Sequence, residues 1–165
     1  MVEWYVLHTK TAQEAEVSRR VRDAGIHALV PRRQMMERRR GVTKKVTRCL
    51  FPGYVFVNTA LEPNDYYTLT GIGGVIRILG AGRPQPVRPA EMNRVLSLVR
   101  DDELIGVSTA LLERDGVRIV SGPLRGLEGQ IVKLDRRKGR AKVNIPLFGE
   151  PKIIELSVNV LQKSE

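Results

Sequence analysis

Two histidines, His8 and His27, and one cysteine, Cys49, are the side chains from which metal or nucleophile chemistry would have to be built. Both histidines fall in expected strands, with no carboxylate or cysteine at ligand spacing. No histidine lies near Cys49 in sequence, so a passive thiol at a strand edge is the expectation. The patterns H-x-E…C-x-x-C, H-E-x-x-H and G-x-S-x-G do not occur. Residues Gly122 to Gly129 are glycine-rich but lack the Gly-Lys-Ser/Thr of a phosphate loop. Tight turns between closely approaching strands account for those glycines. The chain is expected to be neither an enzyme nor the holder of a metal or cofactor.

Binding chemistry is better represented. The net charge of +10 is concentrated in two places. Arg32, Arg33, Arg38, Arg39, Arg40, Lys44, Lys45 and Arg48, less Glu37, give +7, and Arg136, Arg137, Lys138, Arg140 and Lys142 give a further +5. The rest of the chain is then slightly acidic, at −2. Charge focused in this way suits a polyanion, because displaced counterions supply much of the affinity for nucleic acid. The second cluster straddles a turn near Gly139, where a hairpin would project several cations together. A folded RNA is a ligand that such a cluster could hold by phosphate and shape contacts. The first cluster could extend that surface or clamp DNA.

A second feature is the run Leu50-Phe51-Pro52-Gly53-Tyr54-Val55-Phe56-Val57. Pro52-Gly53 signals a turn, and the β-branched and aromatic residues after it signal a strand. Alternation puts Tyr54 and Phe56 on one face and Val55 and Val57 on the other. An aromatic face suits an apolar partner surface, although both faces could equally be core.

The elements that would position these residues divide into two textures. Residues 3–9 read as a strand. Thr11 with Glu14 forms a capping-box pattern opening a helix over about 12–24, closed by Gly25. A short strand over 27–30 and the basic arm with its Arg40-Gly41 turn follow, the arm reading as a projecting hairpin. After the Tyr54 strand come a short helix over 63–70, a strand over 74–79, and an amphipathic helix from Pro89. Residues 101–114 read as a linker or helix tail. Beyond it, short strands over 117–120, 129–134, 141–145 and 153–156 suggest a small closed barrel. The expected fold class is α+β: an antiparallel-sheet α/β sandwich over 1–105, a linker over 106–112, and a five-stranded β-barrel over 113–165. The single cysteine fits a reducing cytoplasm, no apolar run reaches the roughly 20 residues of a membrane span, and a cytoplasmic protein is expected.

The ordered set of motifs resembles the NusG family of transcription elongation factors. It consists of Trp4-Tyr5-Val6-Leu7-His8-Thr9, the Leu50–Val57 run, Thr70 to Val75, and Val117-Arg118-Ile119-Val120-Ser121-Gly122-Pro123-Leu124 with Gly126 and Gly129. Phe148-Gly149 and Ile154-Glu155-Leu156 follow. The resemblance implies an N-terminal NGN domain that docks on the RNA polymerase clamp and a C-terminal KOW barrel that recruits a further partner.

It implies roles for single residues as well. Tyr54 and Phe56 match apolar clamp-pocket positions, with Tyr5 and Leu7 as neighbours from the first strand or as ordinary core. Lys10, Gln13 and Arg20 match positions that face non-template DNA in specialised relatives, or Lys10 and Arg20 are simply solvated. On their charge, and not from the resemblance, Arg38, Arg39, Arg40, Lys44 and Lys45, with the +5 cluster, are assigned to RNA. Leu124, Arg125 and Leu127 stand where housekeeping relatives carry aromatic residues in the first KOW turn. Glu150 replaces a usual Arg, and Val158 stands near a usual aromatic. These departures resemble the specialised LoaP-type antiterminators. Expected partners are RNA polymerase, non-template DNA and structured leader RNA, with other elongation factors or the ribosome through the KOW domain and no membrane. A housekeeping NusG-type cofactor and a ribosome-associated KOW protein are the alternatives.

Overall fold

The structure is a computed structural model that describes residues 1–99 and 103–162. The chain begins β1 (Glu3–Thr9), α1 (Glu14–Asp23) and β2 (His27–Leu29), then β3 (Arg32–Arg39), β4 (Val42–Cys49) and β5 (Tyr54–Thr59). Next come α2 (Pro63–Thr70), β6 (Val75–Ile78), α3 (Pro89–Leu98) and β7 (Leu104–Ile105). The remainder is β8 (Ser108–Glu113), β9 (Gly116–Ser121), a 3-10 turn at Glu128–Gln130, β10 (Ile131–Asp135), β11 (Arg140–Asn144) and β12 (Ile153–Gln162). Two compact units result: Met1–Val30 with Phe51–Met92, and Pro31–Leu50 with Asn93–Glu165.

The first unit is built on an antiparallel sheet in the order β2-β5-β1-β6. Opposed residues share a face, so Tyr5 and Leu7 lie with their partners Val57 and Val55. Val6 and His8 lie with Phe56 and Tyr54 on the other face. The helix α1 starts later than its sequence pattern predicts, because Ala12 takes a left-handed φ of 63° and Gln13 becomes the N-cap. No capping box forms. The Glu14 carboxylate instead accepts the Gly53 N–H at 2.8 Å, and Gly53 itself has a φ of 82°. Buried Glu14 thereby ties α1 to the turn that launches β5. Helix α2 spans the predicted Pro63–Thr70, with Pro at its N-terminus.

In the second unit β3 and β4 form the projecting hairpin that the basic arm predicts, with Arg39 opposite Val42. Its turn residues Arg40 and Gly41 have φ values of 51° and 76°, the left-handed pair of a two-residue type I′ turn. The hairpin gains a third strand from β7, parallel to β3. A five-stranded sheet runs β10-β11-β12-β8-β9, mixed because β12 and β8 are parallel.

Three expectations are corrected here. The closed barrel is instead a curled sheet whose edge strands β9 and β10 do not pair. Residues 122–130 run between those edges and bury Leu124 and Leu127. Most of the expected 106–112 linker is strand β8, pairing with both β9 and β12. The basic arm, assigned with residues 1–105, groups with the second unit. The start of the expected linker or helix tail at Asp101 lies outside the described residues, as do the last three positions of the barrel range.

Gly122 shows why its position needs glycine. A Cβ there would sit 2.5 Å from the Ser108 Cα, and its φ is 100°. Next to it the Ser108 hydroxyl accepts the Leu124 N–H at 2.9 Å.

The Glu14 tie gives a direct test. Glu14→Ala leaves the Gly53 N–H without its carboxylate and is expected to cost about 1–3 kcal/mol. Glu14→Gln keeps an acceptor and should cost less. Urea unfolding measures both; equal losses would show that the acceptor is unimportant.

Candidate docking and nucleic-acid interfaces

The aromatic face of the first unit is partly covered. Phe56 is fully buried under Phe51, their rings 5.7 Å apart and edge-to-face. Tyr54 is half-buried and stacks on Phe51 at 6.4 Å. Of the four residues assigned to polymerase docking, Tyr54 alone has appreciable surface; Tyr5 is 8% exposed and Leu7 0%. The register also corrects the expectation that Tyr5 and Leu7 neighbour Tyr54. They project from the opposite face, because each pairs with a valine one residue out of phase with the aromatics. The strand neighbours sharing the Tyr54 face are half-buried Trp4 and His8, buried Val6 and exposed Arg77, opposite His8 on β6. Trp4 and His8 were legible as candidates had the odd-even phase of residues 3–9 been fixed.

Lys10, Gln13 and Arg20 converge on one turn. The Lys10 N–H donates to the Gly74 carbonyl at 2.8 Å. The Gln13 side chain covers Gly74, where a Cβ would come within 2.5 Å of its Oε1. Arg20 donates through Nη1 to the Gly73 carbonyl at 3.0 Å and through Nε to Glu16 at 3.1 Å. Lys10 and Gln13 are exposed, so an open polar corner results, with Arg20 braced and part of its charge balanced by Glu16. The neighbouring Arg19 and Arg20 guanidiniums hold the Glu16 carboxyl below the usual carboxylate range, Arg19 by hydrogen bonding first.

The hairpin cations split between two faces. Pairing of Glu37 with Lys44 and of Arg39 with Val42 puts Arg33, Glu37, Arg39, Lys44 and Arg48 on one face. There Glu37 bridges Arg48 at 3.0 Å and Arg39 at 3.6 Å, and the Arg48 hydrogen bond lowers its pKa. The other face carries Arg32, Met36, Arg38, Thr43, Lys45 and Thr47, without an acid. Exposed Arg38 and Lys45 are therefore the uncompensated pair, with Arg40 at the tip.

Side-chain donors fasten this hairpin to β11 and β12. Arg33 donates to the Glu155 carbonyl, Ser157 Oγ to the Gln34 carbonyl at 3.1 Å, and Arg140 Nη2 to the Met36 carbonyl at 3.1 Å. Burial lowers the Arg33 pKa, and the Glu155 charge opposes that shift. The turn between β10 and β11 exposes Arg136, Arg137 and Lys138. Arg136 reaches Gln162 at 2.6 Å, and the Lys138 N–H donates to Asp135 at 2.9 Å. Lys133, outside the expected set, stands opposite Lys142. In the first KOW turn Leu124 and Leu127 are core, and Arg125 is exposed. Among the described residues no His/Cys/Asp/Glu group could hold a metal ion, and no helix is long and apolar enough to cross a membrane.

Burial separates the two aromatics energetically. Phe56→Ala should cost about 3–5 kcal/mol of stability as a core truncation. Tyr54→Ser should cost less, since part of its ring already meets solvent. Thermal unfolding of both variants checks the order, and a reversed order would contradict the burial pattern.

The comparisons agree with this architecture. Residues 2–96 match the family model "Transcription termination factor nusG", and residues 115–144 match the KOW motif. The transcription termination/antitermination protein NusG of Thermus thermophilus is 32% identical over 182 residues, covering 99% of each chain. Its Bacillus subtilis counterpart is 28% identical, covering 97% of each. A solved structure of Thermotoga maritima NusG superposes with a TM-score of 0.60 at 24% identity, covering 95% of this chain and 94% of that one. Motif order, the two-part architecture and a family match over more than half its length establish that the chain belongs to the NusG family.

Proposed function

We propose that this chain is a NusG-type elongation regulator that docks on RNA polymerase through its first unit and promotes processive antitermination. The observation that carries the reading is likeness along 99% of the chain to a protein named for termination and antitermination. Half-buried Tyr54, directly opposite half-buried His8, supplies a chemical anchor: an aromatic that presents surface above a rigid core. Phe56, Tyr5 and Leu7 support it from within. The exposed corner of Lys10 and Gln13, with Arg20 bracing the adjacent turn, suits a phosphate and a base edge of non-template DNA. The uncompensated cations Arg38, Arg40 and Lys45, with Arg136, Arg137 and Lys138, suit structured leader RNA. In this reading the KOW sheet recruits other elongation factors or the ribosome.

A housekeeping role is the second reading, favoured by one observation. Leu124 and Leu127, two of the departures that suggested a LoaP-type specialist, lie in the core and alter little of the docking surface.

Transcription in vitro across an intrinsic terminator, with and without a candidate leader, separates the readings. Leader-dependent readthrough is the specialist's outcome, and leader-independent changes in pausing or termination are the housekeeping one. In either case Tyr54→Ser should weaken polymerase binding about 30-fold, the equivalent of roughly 2 kcal/mol at a hot spot. A folded Tyr54→Ser variant with undiminished binding would overturn the docking assignment.

A further inference from the structure

The outer face of β10, β11 and β12 places like charges against each other. Lys133 on β10 stands directly opposite Lys142 on β11, and Lys142 stands opposite Glu155 on β12. In the next row Asp135, Arg140 and Ser157 are aligned. Two lysines in direct cross-strand opposition repel and destabilise the pair. The acids nearby are committed elsewhere. Glu155 holds Arg140 at 3.4 Å, and Asp135 accepts the Lys138 N–H at 2.9 Å, which keeps the Asp135 carboxyl below its usual range. Arg140 is committed too, its second arm donating to the Met36 carbonyl. Neither the Lys133 nor the Lys142 ammonium group makes a hydrogen bond or ion pair with a described residue, although the Lys133 charge is felt by Asp135.

These side chains, with Lys138, surround a cavity of about 110 Å³. Four cations and two carboxylates line it, so it carries an excess of positive charge. A sequence that breaks a local pairing rule does so mostly at functional or strained sites. An oxyanion between the two ammonium groups would turn mutual repulsion into two attractions and use donors that are otherwise idle.

We propose that this cavity seats a single phosphate group, held by Lys133, Lys138 and Lys142 while Arg140 frames its floor. The phosphate is a backbone phosphodiester of RNA, because the seat adjoins the exposed Arg136–Lys138 turn and neighbouring phosphates can run on past it. This choice of source rests on the RNA contact proposed above; the seat itself does not. A free phosphorylated small molecule presents the same chemistry.

The test uses the full chain and two probes, inorganic phosphate and a short RNA hairpin. Amide resonances of residues 133, 138 and 142 should shift with phosphate, and Lys133→Gln/Lys142→Gln should abolish those shifts. The same double variant should weaken hairpin binding and reduce the log K against log salt slope by about 0.9, one duplex phosphate contact. It should also melt slightly higher than the parent without ligand, since the repulsion is gone. Shifts with phosphate but no hairpin binding would leave the seat intact and assign it to a small phosphorylated ligand, overturning the RNA source. Hairpin binding with unchanged affinity and slope in the double variant, together with no phosphate shifts, would overturn the seat while leaving RNA contact elsewhere.

Discussion

The pairing of β1 with β5 decides which side chains the first unit offers to a partner. Strand side chains alternate with a period of two, so a slip of one residue would exchange the faces wholesale. Tyr5 and Leu7 would then join Tyr54, and the valines would come to the half-open side. The register is anchored at its open end by several independent bonds. The Thr9 N–H donates to the Gly53 carbonyl at 2.8 Å, Glu14 accepts the Gly53 N–H, and the Tyr54 N–H donates to the Phe51 carbonyl at 3.1 Å. The Pro52-Gly53 turn is thus held from both its carbonyl and its amide, and the position of Tyr54 follows from that hold.

Charge in the second unit is organised by compensation more than by amount. On one hairpin face Glu37 holds Arg39 and Arg48, while contact with β12 is made by directed hydrogen bonds from Arg33 and Ser157. Exposed ion pairs of this kind contribute at most about 1 kcal/mol each. Their consequence is a different one, since they remove cations from the pool available to a ligand. What remains open is a smaller set than the composition suggests: Arg38, Arg40 and Lys45 on the hairpin, and Arg136, Arg137 and the lysines around the KOW sheet.

Much of this was legible in the sequence. The order of elements, the two textures, the Arg40-Gly41 turn and helix α2 were readable because period and turn chemistry are local properties. The phase of one strand against another is not local, so the alternation of residues 3–9 does not tell whether Tyr5 and Leu7 share the Tyr54 face or lie in the core. Strand β8 falls in a stretch that reads as a linker or helix tail, and although its hairpin partner β9 follows after two residues, its other partner β12 lies far along the chain. A capping-box pattern does not reveal a competing donor 39 residues away, so the role of Glu14 is not legible locally. The opposition of Lys133 and Lys142 was likewise invisible until a bulge between Ile131 and Lys133 set the register.

The three contacts that fasten the hairpin to β11 and β12 share one asymmetry. In each, a side chain donates and a main-chain carbonyl accepts, at Glu155, Gln34 and Met36. A carbonyl is present whatever residue occupies the position. Inheritance therefore constrains one partner in each contact: Arg33, Ser157 and Arg140 must persist, while positions 155, 34 and 36 are free to drift as far as these bonds are concerned. Among descendants of this chain the junction can outlast wide change in the residues on its accepting side, and a search for paired substitutions across it would find few.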